Sequence, residues 1–518
     1  MASKSPATSR YTETERKFDV LETTVSPSFE GLSAVGRVER SPSQNLAAVY
    51  FDTPAQDLAR HRITLRRRTG GTDAGWHLKL PAGTNTRTEV RAPLSDDESP
   101  DPQTVPDNLR DVVLAIVRDR PLAPVARIDT LRVIAQLYGP DESPVAEFCD
   151  DQVTASAVGG EEQTWREWEL EMSPGTSTDV FDRLSNRLLD AGAVPAAQGS
   201  KLARVLAAAT SESEGTSESE ATSESEGADE APAAPTDAVR RAVSQHIGEL
   251  IDWDRAVRSN AWDSVHQMRV TTRKIRSLLQ SSEGSFDLAD HEWILDELRE
   301  LAGVLGIARD AEVLAERYEQ ALDKLPDANV RGPVRERLVE GAKKRYEAGW
   351  RRSLTAMRSQ RYFRLLDALE ALVAAEPPPA APGEEPAELT IDSAYKRVRK
   401  AAKAARAAAV DPEVGTDESN EALHRIRKRA KQLRYTAAAT GETKVADRAK
   451  AIQTLLGDHQ DSVVSRIHLS RQAEVAHTAG EDTFTYGLLY QQEDDLAVRS
   501  EEQIDDALKK LDKSVGKS

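Results

Sequence analysis

The stretch Thr164-Trp165-Arg166-Glu167-Trp168-Glu169-Leu170-Glu171-Met172 ends with a carboxylate at every second position and a large apolar side chain after each one. Alternate residues of a β-strand point to opposite faces, so this segment predicts a strand with one acidic face and one apolar face. Two structures explain such a strand. One is an ordinary sheet with a solvated face and a core face, and the other is a closed barrel whose polar face points inward.

Alternation of the same kind recurs before this segment, in runs separated by Gly and Pro. The acids and bases in them segregate by strand, which favours the closed barrel. Two helical patterns accompany the strands, near Asp107–Arg118 and Thr178–Ala191. The sequence therefore predicts an α+β domain with a dominant antiparallel sheet, from the runs TETERKFDV (12–20), NLAAVYFDT (45–53), ITLRRRT (63–69), GWHLKLP (75–81), TRTEVRA (86–92), LAPVARIDTLRVIAQLY (122–138) and PVAEFCDDQVTA (144–155).

A lumen lined by both carboxylates and basic groups has one natural occupant, a phosphate chain held together with a divalent metal. Guanidinium groups meet phosphate oxygens, often in bidentate pairs. Carboxylates supply the oxygen ligands that Mg²⁺ or Mn²⁺ prefers. A closed barrel of this kind is thus predicted to hold a phosphate chain and a metal in its lumen, whereas an ordinary sheet would place the same charges in solvent.

Residues 210–227 read TSESEGTSESEATSESEG, three copies of a six-residue acidic unit, and a Pro/Ala-rich stretch continues to Thr236. Such a segment has little to bury and repels itself, so it is predicted to be a disordered acidic linker over 210–236. It divides the chain into a tunnel domain at 10–209 and a domain at 237–515. The second domain has Ala-, Leu-, Arg- and Glu-rich segments of helical period and is predicted to be all-α.

Three segments of the helical half carry cations at positions i, i+3, i+7 and i+10, which lie along one face of an α-helix. Two of them begin with histidine, and Lys274 and Lys428 lie beside those two. Cations stacked in this way repel one another, so three such stripes need a compensating polyanion. The stripes are His266, Arg269, Arg273 and Arg276; His424, Arg427, Lys431 and Arg434; and Lys396, Arg399, Lys403 and Arg406.

The helical half also looks duplicated. Leu305-Gly306 with Asp310 follows the first histidine helix, and Leu456-Gly457 with Asp461 follows the second at a similar distance. This repetition predicts two related helical bundles. Single-strand nucleic-acid binders need stacking aromatics, and only Tyr395 and Tyr435 lie near the stripes, so a phosphate chain without bases is favoured over nucleic acid.

The composition sets the remaining expectations. The chain has 518 residues and a net charge of −18, with acids concentrated in the linker and bases in clusters. Its single cysteine, Cys149, excludes an intramolecular disulfide framework. The first ten residues have no apolar signal core, and no stretch approaches a membrane span. A cytoplasmic protein without a membrane partner is expected.

The N-terminal half resembles a known family. Glu13-Thr14-Glu15-Arg16-Lys17 matches the ExExK signature of the CYTH superfamily, the triphosphate tunnel metalloenzymes. Further matches follow in the family's order over residues 10–209: Tyr50–Thr53, Leu65–Arg68, Trp76–Lys79, Arg87–Glu89, Arg127–Arg132, Glu147–Asp151, Glu167–Glu171 and Ser200-Lys201.

This resemblance implies an eight-stranded antiparallel tunnel that binds a triphosphate and hydrolyses it with a divalent metal, Mg²⁺ or Mn²⁺. It implies catalytic roles for Glu169 and Glu171. By motif position, phosphate oxygens would be held by Lys17, Arg66, Arg68, Lys79, Arg87, Arg127 and Lys201. The metal would be held by Glu13, Glu15, Asp151, Glu169 and Glu171.

The helical half, over 237–515, resembles the CHAD domains, the conserved-histidine α-helical domains. The two histidine stripes match the two hallmark motifs of that family, and the segments Gly306–Asp310 and Gly457–Asp461 fit its following helices. CHAD domains are paired helical bundles around a basic groove. The resemblance implies binding of inorganic polyphosphate by the three stripes with Lys274 and Lys428, and an association with polyphosphate granules.

Three functions stay open from the sequence. The first is a metal-dependent hydrolase of inorganic triphosphate or short polyphosphate whose helical domain binds polyphosphate. The second is a polyphosphate-binding protein without turnover. The third is a nucleotide-acting enzyme of the same superfamily, because this tunnel also hosts adenylyl cyclases and nucleoside or thiamine triphosphatases. The sequence gives no expectation for the oligomeric state.

Overall fold

The structure, a computed structural model, describes residues 9–83, 85–94, 104–214, 238–281, 291–375, 391–411, 415–439 and 441–515. These residues group into two compact units. The first contains all the strands, the helices up to α6, and residues 357–370. The second contains residues 265–356 and those after 370.

Ten antiparallel strands form the sheet of the first unit, and eight of them close into a barrel. The strand order is β1-β6-β5-β4-β3-β7-β8-β9, and β9 pairs back onto β1. The short strands β2 and β10 extend β7 and β1. The strands are β1 (Ser9–Val20), β2 (Arg37–Arg40), β3 (Gln44–Asp52), β4 (Thr64–Thr69), β5 (Gly75–Pro81), β6 (Thr86–Ala92), β7 (Ala123–Tyr138), β8 (Pro144–Ala157), β9 (Gln163–Met172) and β10 (Val194–Pro195). The predicted eight-stranded antiparallel tunnel is confirmed.

Strand alternation places the apolar residues on the outside of the barrel. Trp168, Leu170 and Phe148 face outward and pack against one helix, α4. Ser177 caps the N-terminus of α4 by accepting a hydrogen bond from the backbone N–H of Val180. The other helices of the first unit are short or peripheral. The bounds are α1 (Asp57–Arg60), α2 (Asp107–Val112), α3 (Leu114–Val117), α4 (Thr178–Asp190), α5 (Lys201–Glu214) and α6 (Ala238–Arg258).

Helix α5 closes one end of the barrel. Leu202, Val205 and Leu206 pack against apolar inward-facing residues such as Ile128 and Trp165. At this end, therefore, part of the barrel interior is a core and not a lumen. The helix also continues to Glu214, so its last five residues occupy the start of the segment predicted as linker. Residues 215–236 of that segment lie outside the described residues.

The rest of the described chain is helical, which confirms the all-α prediction. Among the described residues of the second unit, two apolar cores join several of its helices. One joins α11 and α12 to parts of α13 and α14, and the other joins α8 to the remaining parts of α13 and α14. The helices are α7 (Ser264–Ser281), α8 (His291–Asp323), α9 (Gly341–Ala356), α10 (Gln360–Ala374), α11 (Ile391–Val410), α12 (Thr416–Ala439), α13 (Thr443–Thr478) and α14 (Phe484–Val515).

Gly349 allows α9 to approach α8 closely, and its replacement by alanine should destabilise the protein. A Cβ atom there would lie 2.8 Å from the backbone nitrogen of Ala308 and 2.9 Å from its Cα, and a backbone cannot yield as a side chain can. We expect the free energy of unfolding to fall by about 2 kcal/mol. Urea unfolding followed by helical circular dichroism measures it.

Gly303 on α8 is the matched control, because a Cβ there would meet nothing within 4 Å. Gly303→Ala should raise the stability by roughly 0.5–1 kcal/mol through helix propensity. Equal effects of the two substitutions would mean that α8 and α9 do not pack as closely as described.

Candidate active site and basic groove

The barrel encloses a polar cavity of about 280 Å³. Its wall is built from the inward-facing residues of the strands and from the start of α5. Carboxylates and basic groups dominate the lining, and Tyr50 is the one aromatic residue among the described residues that line it. Residues that contribute are Glu13, Glu15, Lys17, Gln44, Tyr50, Thr64, Arg66, Arg68, Asp73, Lys79, Arg87, Glu89, Arg91, Arg132, Glu147, Glu169, Glu171, Ser200 and Lys201.

One group of carboxylates in the barrel is paired with cations. Ligand atoms of Asp151, Glu167 and Glu169 all lie within 4.8 Å of one another. The ammonium of Lys201 lies among them, 2.9 Å from Asp151, 2.6 Å from Glu167 and 2.8 Å from Glu169. Arg132 adds contacts of 2.6 Å to Asp151 and 2.5 Å to Glu169. These acids are therefore already neutralised by the protein in the empty cavity.

A second group of carboxylates is less well compensated. Glu15 and Glu171 are directly opposite in the β1–β9 pairing, and Glu147 is opposite Glu171 in the β8–β9 pairing. Burial raises the pKa of Glu171 to about 7, with Glu13 and Glu147 adding to the effect and Lys79 opposing it. Burial also raises the pKa of Glu13, against the attraction of Lys79. A divalent cation would relieve this excess of negative charge.

Three arginines form a cationic group in the same cavity. Burial lowers the pKa of Arg68 to about 9, and the neighbouring charges of Arg66 and Arg132 contribute. The Nε atoms of Arg66 and Arg68 are buried and have no hydrogen-bond partner. Unpaired buried guanidinium N–H groups carry a large desolvation cost, which a bound anion would remove.

The carboxylates fit a metal, since oxygen ligands are what Mg²⁺ and Mn²⁺ prefer. Glu13 and Glu171 fit best, because burial and neighbouring carboxylates raise the pKa of both. Glu15 lies beside them, but its burial is outweighed by Lys17, Lys79 and Arg87, which lower its pKa to about 2. Asp151 and Glu169 could bind a metal only if Lys201 moved to another partner. The tunnel thus offers a carboxylate half for a cation and an arginine group for phosphate oxygens.

Ten of the predicted tunnel residues line the cavity, but Arg127 does not. Asp151 is fully buried and reaches the site through Arg132 and Lys201. Arg127 is exposed, because Ala126, Ile128 and Thr130 are the inward-facing residues of that part of β7. The lining residues among those predicted are Glu13, Glu15, Lys17, Arg66, Arg68, Lys79, Arg87, Glu169, Glu171 and Lys201.

The sequence prediction missed Arg132, which takes the inward position on β7 that Arg127 lacks. It also left out Glu89, Glu147 and Glu167. Glu89 is buried and accepts a hydrogen bond of 2.9 Å from the Nδ1 position of His77 if that nitrogen carries the proton. The sequence could have indicated each of them, because each lies an even number of positions from an inward-facing residue on the same strand and therefore points inward too.

In the second unit, the stripes on α7 and α12 face each other. Burial lowers the pKa of Lys431 on α12 to about 8, and the charges of Arg273, Arg427 and Arg434 act in the same direction. Burial likewise lowers the pKa of Arg273 on α7, with Arg269 and Arg427 among the contributing charges. Cations of the two helices therefore lie within electrostatic reach of one another, and these two stripes are together named the basic groove.

The two halves of the groove are built alike. Arg269 lies against Gly306 of α8, with its guanidinium 3.4 Å from where a Cβ of that glycine would stand. Arg427 lies in the same way against Gly457 on α13, at 3.7 Å. Arg269 also approaches Asp310 at 3.8 Å, and Asp461 lies within the electrostatic reach of Arg427. Each glycine leaves room for a groove arginine.

The third predicted stripe, on α11, is not brought to this groove. Its Lys396 pairs with Asp392 on the same helix at 2.7 Å, and its Arg406 pairs with Asp505 on α14 at 2.7 Å. Arg399 and Lys403 are exposed. Of the two histidines, His424 is exposed and His266 is half-buried. Acids of neighbouring helices thus compensate part of this stripe.

Comparison with known proteins agrees with both halves of the structure. Residues 12–193 match the CYTH domain family, and residues 241–470 match the CHAD domain family. The uncharacterised proteins MT2285 and Rv2226 of two Mycobacterium tuberculosis strains are each 61% identical over 532 residues, covering 100% of this chain and 100% of their own.

Solved structures give weaker matches. PptA from Streptomyces chartreusis is 18% identical, with a TM-score of 0.42, and the match covers 52% of this chain and 98% of that one. A putative adenylyl cyclase from Hippeastrum, HpAC1, described as having a dominant triphosphatase activity, is 18% identical, with a TM-score of 0.23 and coverage of 38% and 96%. No helix of the described residues is long and apolar enough to cross a membrane.

Proposed function

The chain belongs to the tandem CYTH–CHAD proteins, and on that premise we propose that its tunnel hydrolyses inorganic triphosphate or short polyphosphate with Mg²⁺ or Mn²⁺. CYTH domains form a family of metal-dependent enzymes that act on triphosphates. The observation that carries the proposal is that one buried cavity holds both the unpaired Nε–H groups of Arg66 and Arg68 and the carboxyl groups of Glu13 and Glu171, whose pKa values are raised.

The arginine group would hold the phosphate chain. Arg66 and Arg68 would donate to its non-bridging oxygens, because their Nε–H groups gain partners that the empty cavity lacks. Arg132, which is already paired with Asp151 and Glu169, would add its positive charge beside them. Lys17, Lys79 and Arg87 all approach Glu15, with nitrogen–oxygen distances of 3.4, 3.6 and 3.7 Å. Lys17 is closer still to Glu169, and Lys79 is closer to Glu13, at 2.5 Å. All three would turn from these carboxylates toward the phosphate when it enters, and Lys201 would do the same from its three acids.

The carboxylates would hold the cation, with Glu13, Glu15, Glu169 and Glu171 as the oxygen donors nearest the cavity. Bound there, a divalent metal neutralises phosphate charge and lowers the pKa of an attacking water. With its pKa raised to about 7, Glu171 exchanges a proton on one of its Oε atoms around neutral pH in the empty cavity, and it is protonated below that pH. It would lose that proton when a cation takes its place.

Inorganic substrates fit this cavity better than nucleotides. Adenine and thiamine recognition rests on aromatic or apolar surfaces beside the phosphate site. In the described lining, Tyr50 is the one aromatic side chain, and its hydroxyl accepts a hydrogen bond from Arg66 at 3.2 Å.

Purified protein should therefore release phosphate from tripolyphosphate faster than from ATP or thiamine triphosphate, and it should form no cyclic AMP from ATP. Cyclic AMP and pyrophosphate from ATP would instead indicate a cyclase.

We also propose that the basic groove of α7 and α12 binds inorganic polyphosphate. Its support is the cluster of cations on the two helices. Burial, together with the charges of Arg273, Arg427 and Arg434, lowers the pKa of Lys431, and a linear polyanion would favour the charged form. Binding there would retain the enzyme in the cytoplasm near its substrate, on polyphosphate granules. The alternative of a protein that binds polyphosphate in both places without turnover is separated by the phosphate-release assay.

Polyphosphate binding should weaken as the pH rises above about 8. Lys431 has a lowered pKa of about 8 in the empty groove and is charged below that pH. A bound phosphate chain stabilises the charged form, so above pH 8 binding must take up a proton, and the affinity falls by up to about tenfold per pH unit from this group. Titration calorimetry at pH 7, 8 and 9 in buffers of different ionisation enthalpy measures both quantities.

Lys431→Met is the control, and it should bind polyphosphate more weakly with no proton uptake between pH 8 and 9. In contrast to the affinity, the stability of the unliganded protein should rise with pH in this range. A lysine whose folded pKa is depressed makes the empty protein more stable as the pH rises from about 8 toward the unfolded value. Proton uptake that persists in Lys431→Met would assign the effect to another group.

A further inference from the structure

The first unit contains a buried ionic contact that neither the tunnel chemistry nor the basic groove uses. Helix α6 and residues 357–370 belong to this unit although they follow the linker in sequence. Helix α6 packs against α2 and α3 of the tunnel, and Arg255 on α6 donates to the carbonyl oxygen of Val112 at 3.4 Å. The tunnel therefore has a surface that is covered by its own chain's later helices.

The centre of this contact is Arg118, at the end of α3. Its side chain is 2% exposed, and it pairs with both Asp367 and Glu370 on α10, the latter at 2.7 Å. Its backbone φ of 58° lies in the left-handed region that a non-glycine residue adopts at a cost. A buried guanidinium in a strained backbone persists when its surroundings fix it, and here the two acids of α10 do so.

Polar contacts surround this centre. Arg358 pairs with Asp111 at 2.5 Å, and Gln360 donates to Asp119 at 2.9 Å. Each of these contacts joins the 357–370 segment to the α2–α3 segment. The surface of the tunnel around α2 and α3 is therefore complementary to residues 357–370 in the positions of specific charged and polar groups.

The ionic contact continues from α10 to the wall of the tunnel. Arg120 pairs with Asp367 at 3.2 Å and with Asp57 on α1 at 2.6 Å. The same oxygen of Asp57 accepts from the hydroxyl of Thr53 at 2.5 Å. Thr53 follows Asp52, the last residue of β3, and Asp52 accepts from the backbone N–H groups of Thr53, Leu58 and Ala59 at 2.7–2.9 Å.

Strand β3 also carries Tyr50, which lines the cavity two residues before Asp52. We propose that Asp367 and Glu370 of α10 are positioning residues that, through Arg118 and Arg120, hold α1–α3 and the end of β3 in place. The tunnel wall at this end is then stabilised by a segment that lies far beyond it in the sequence. The proposal does not depend on what the tunnel binds.

Hydrogen exchange of the full chain, measured by mass spectrometry without substrate, tests this. Asp367→Asn with Glu370→Gln removes both negative charges from half-exposed positions and leaves the buried Arg118 charge unpaired, which is strongly unfavourable. We expect exchange at least about tenfold faster in segments 52–60 and 105–120. Exchange in α4 should not change, because α4 packs on another part of the barrel.

Adding Arg118→Met to that double variant should return the exchange to within about threefold of the wild type, since replacing a buried ion pair by an apolar group is often neutral. Glu347→Gln, which removes an exposed partner of Arg351 on α9, is the matched control and should change neither segment. Unchanged exchange in the double variant would overturn the proposal. So would a loss of protection that extends to α4, or one that Arg118→Met does not recover.

Discussion

Replacing Glu169 and Glu171 together by alanine should lower the rate of phosphate release from tripolyphosphate by at least about 10³-fold in the presence of Mg²⁺ or Mn²⁺. This factor corresponds to ~4 kcal/mol of transition-state stabilisation, which is the scale of a lost metal site. Both residues lie on β9 and line the cavity. Steady-state phosphate release at saturating metal measures the effect.

The same double variant should keep its affinity for tripolyphosphate in the absence of metal. Glu169 neutralises Lys17, Lys201 and Arg132 in the empty cavity. Its removal leaves these cations available to the phosphate chain, so binding without metal should be as tight or tighter. Loss of turnover with retained binding assigns the two carboxylates to the chemistry and not to the fold.

Glu161 and Glu162 provide the matched control, because they are exposed in the turn between β8 and β9. Their replacement by alanine removes the same two charges from the same hairpin and should leave the rate unchanged. If the wild type released no more phosphate than the Glu169→Ala, Glu171→Ala variant, the enzyme proposal would fail. The protein would then be a binder of phosphate chains.

The barrel could be predicted from sequence because its two faces differ so sharply in chemistry. On β9, Glu167, Glu169 and Glu171 alternate with Trp168 and Leu170, and all of them lie where the period of two requires. Closure could not be read from that period, since a flat sheet has the same alternation. It follows from the pairing of β1 with β9, which brings Lys17 opposite Glu169. The resemblance to a tunnel family supplied that step.

The sequence was a weaker guide to which residue of a strand faces the cavity. Arg127 and Arg132 lie five positions apart on β7, so they point to opposite faces, and the motif match selected the wrong one for the cavity. The parity of Ile128 and Thr130 would have selected Arg132. The sequence also did not predict that α5 closes one end of the barrel, because the alanine-rich sequence of this helix runs directly into the acidic repeat.

The three basic stripes show what spacing alone cannot predict. All have the same i, i+3, i+7, i+10 pattern, yet only those on α7 and α12 face each other. On α11, Arg406 meets Asp505 of α14, a residue almost 100 positions later in the chain. Whether a cationic stripe is compensated depends on which helix packs beside it, and that is a tertiary property.

Reversing the charges of Arg273 and Lys431 to glutamate should weaken long-chain polyphosphate binding by at least about 10²-fold. Each residue comes from a different helix, and burial together with cations of both helices lowers the pKa of each. The double variant replaces two attractive charges with two repulsive ones among these clustered cations. Binding to fluorescently labelled polyphosphate at several salt concentrations measures the affinity and its salt dependence.

Lys343→Glu with Lys344→Glu is the matched control, with the same change of net charge on the exposed surface of α9. Lys343 already has acidic neighbours, with Glu340 at 3.1 Å and Glu319 at 3.7 Å, so its reversal should cost less than threefold in affinity. Equal losses from the two pairs would mean diffuse electrostatic attraction and not a groove.

Binding of single-stranded RNA with a matched number of charges completes the test. The groove offers little for bases to stack on, since the one aromatic side chain seen beside its cations is Tyr435, so RNA should bind more weakly than polyphosphate. Tighter binding of RNA than of polyphosphate would mean that the ligand of the groove is nucleic acid.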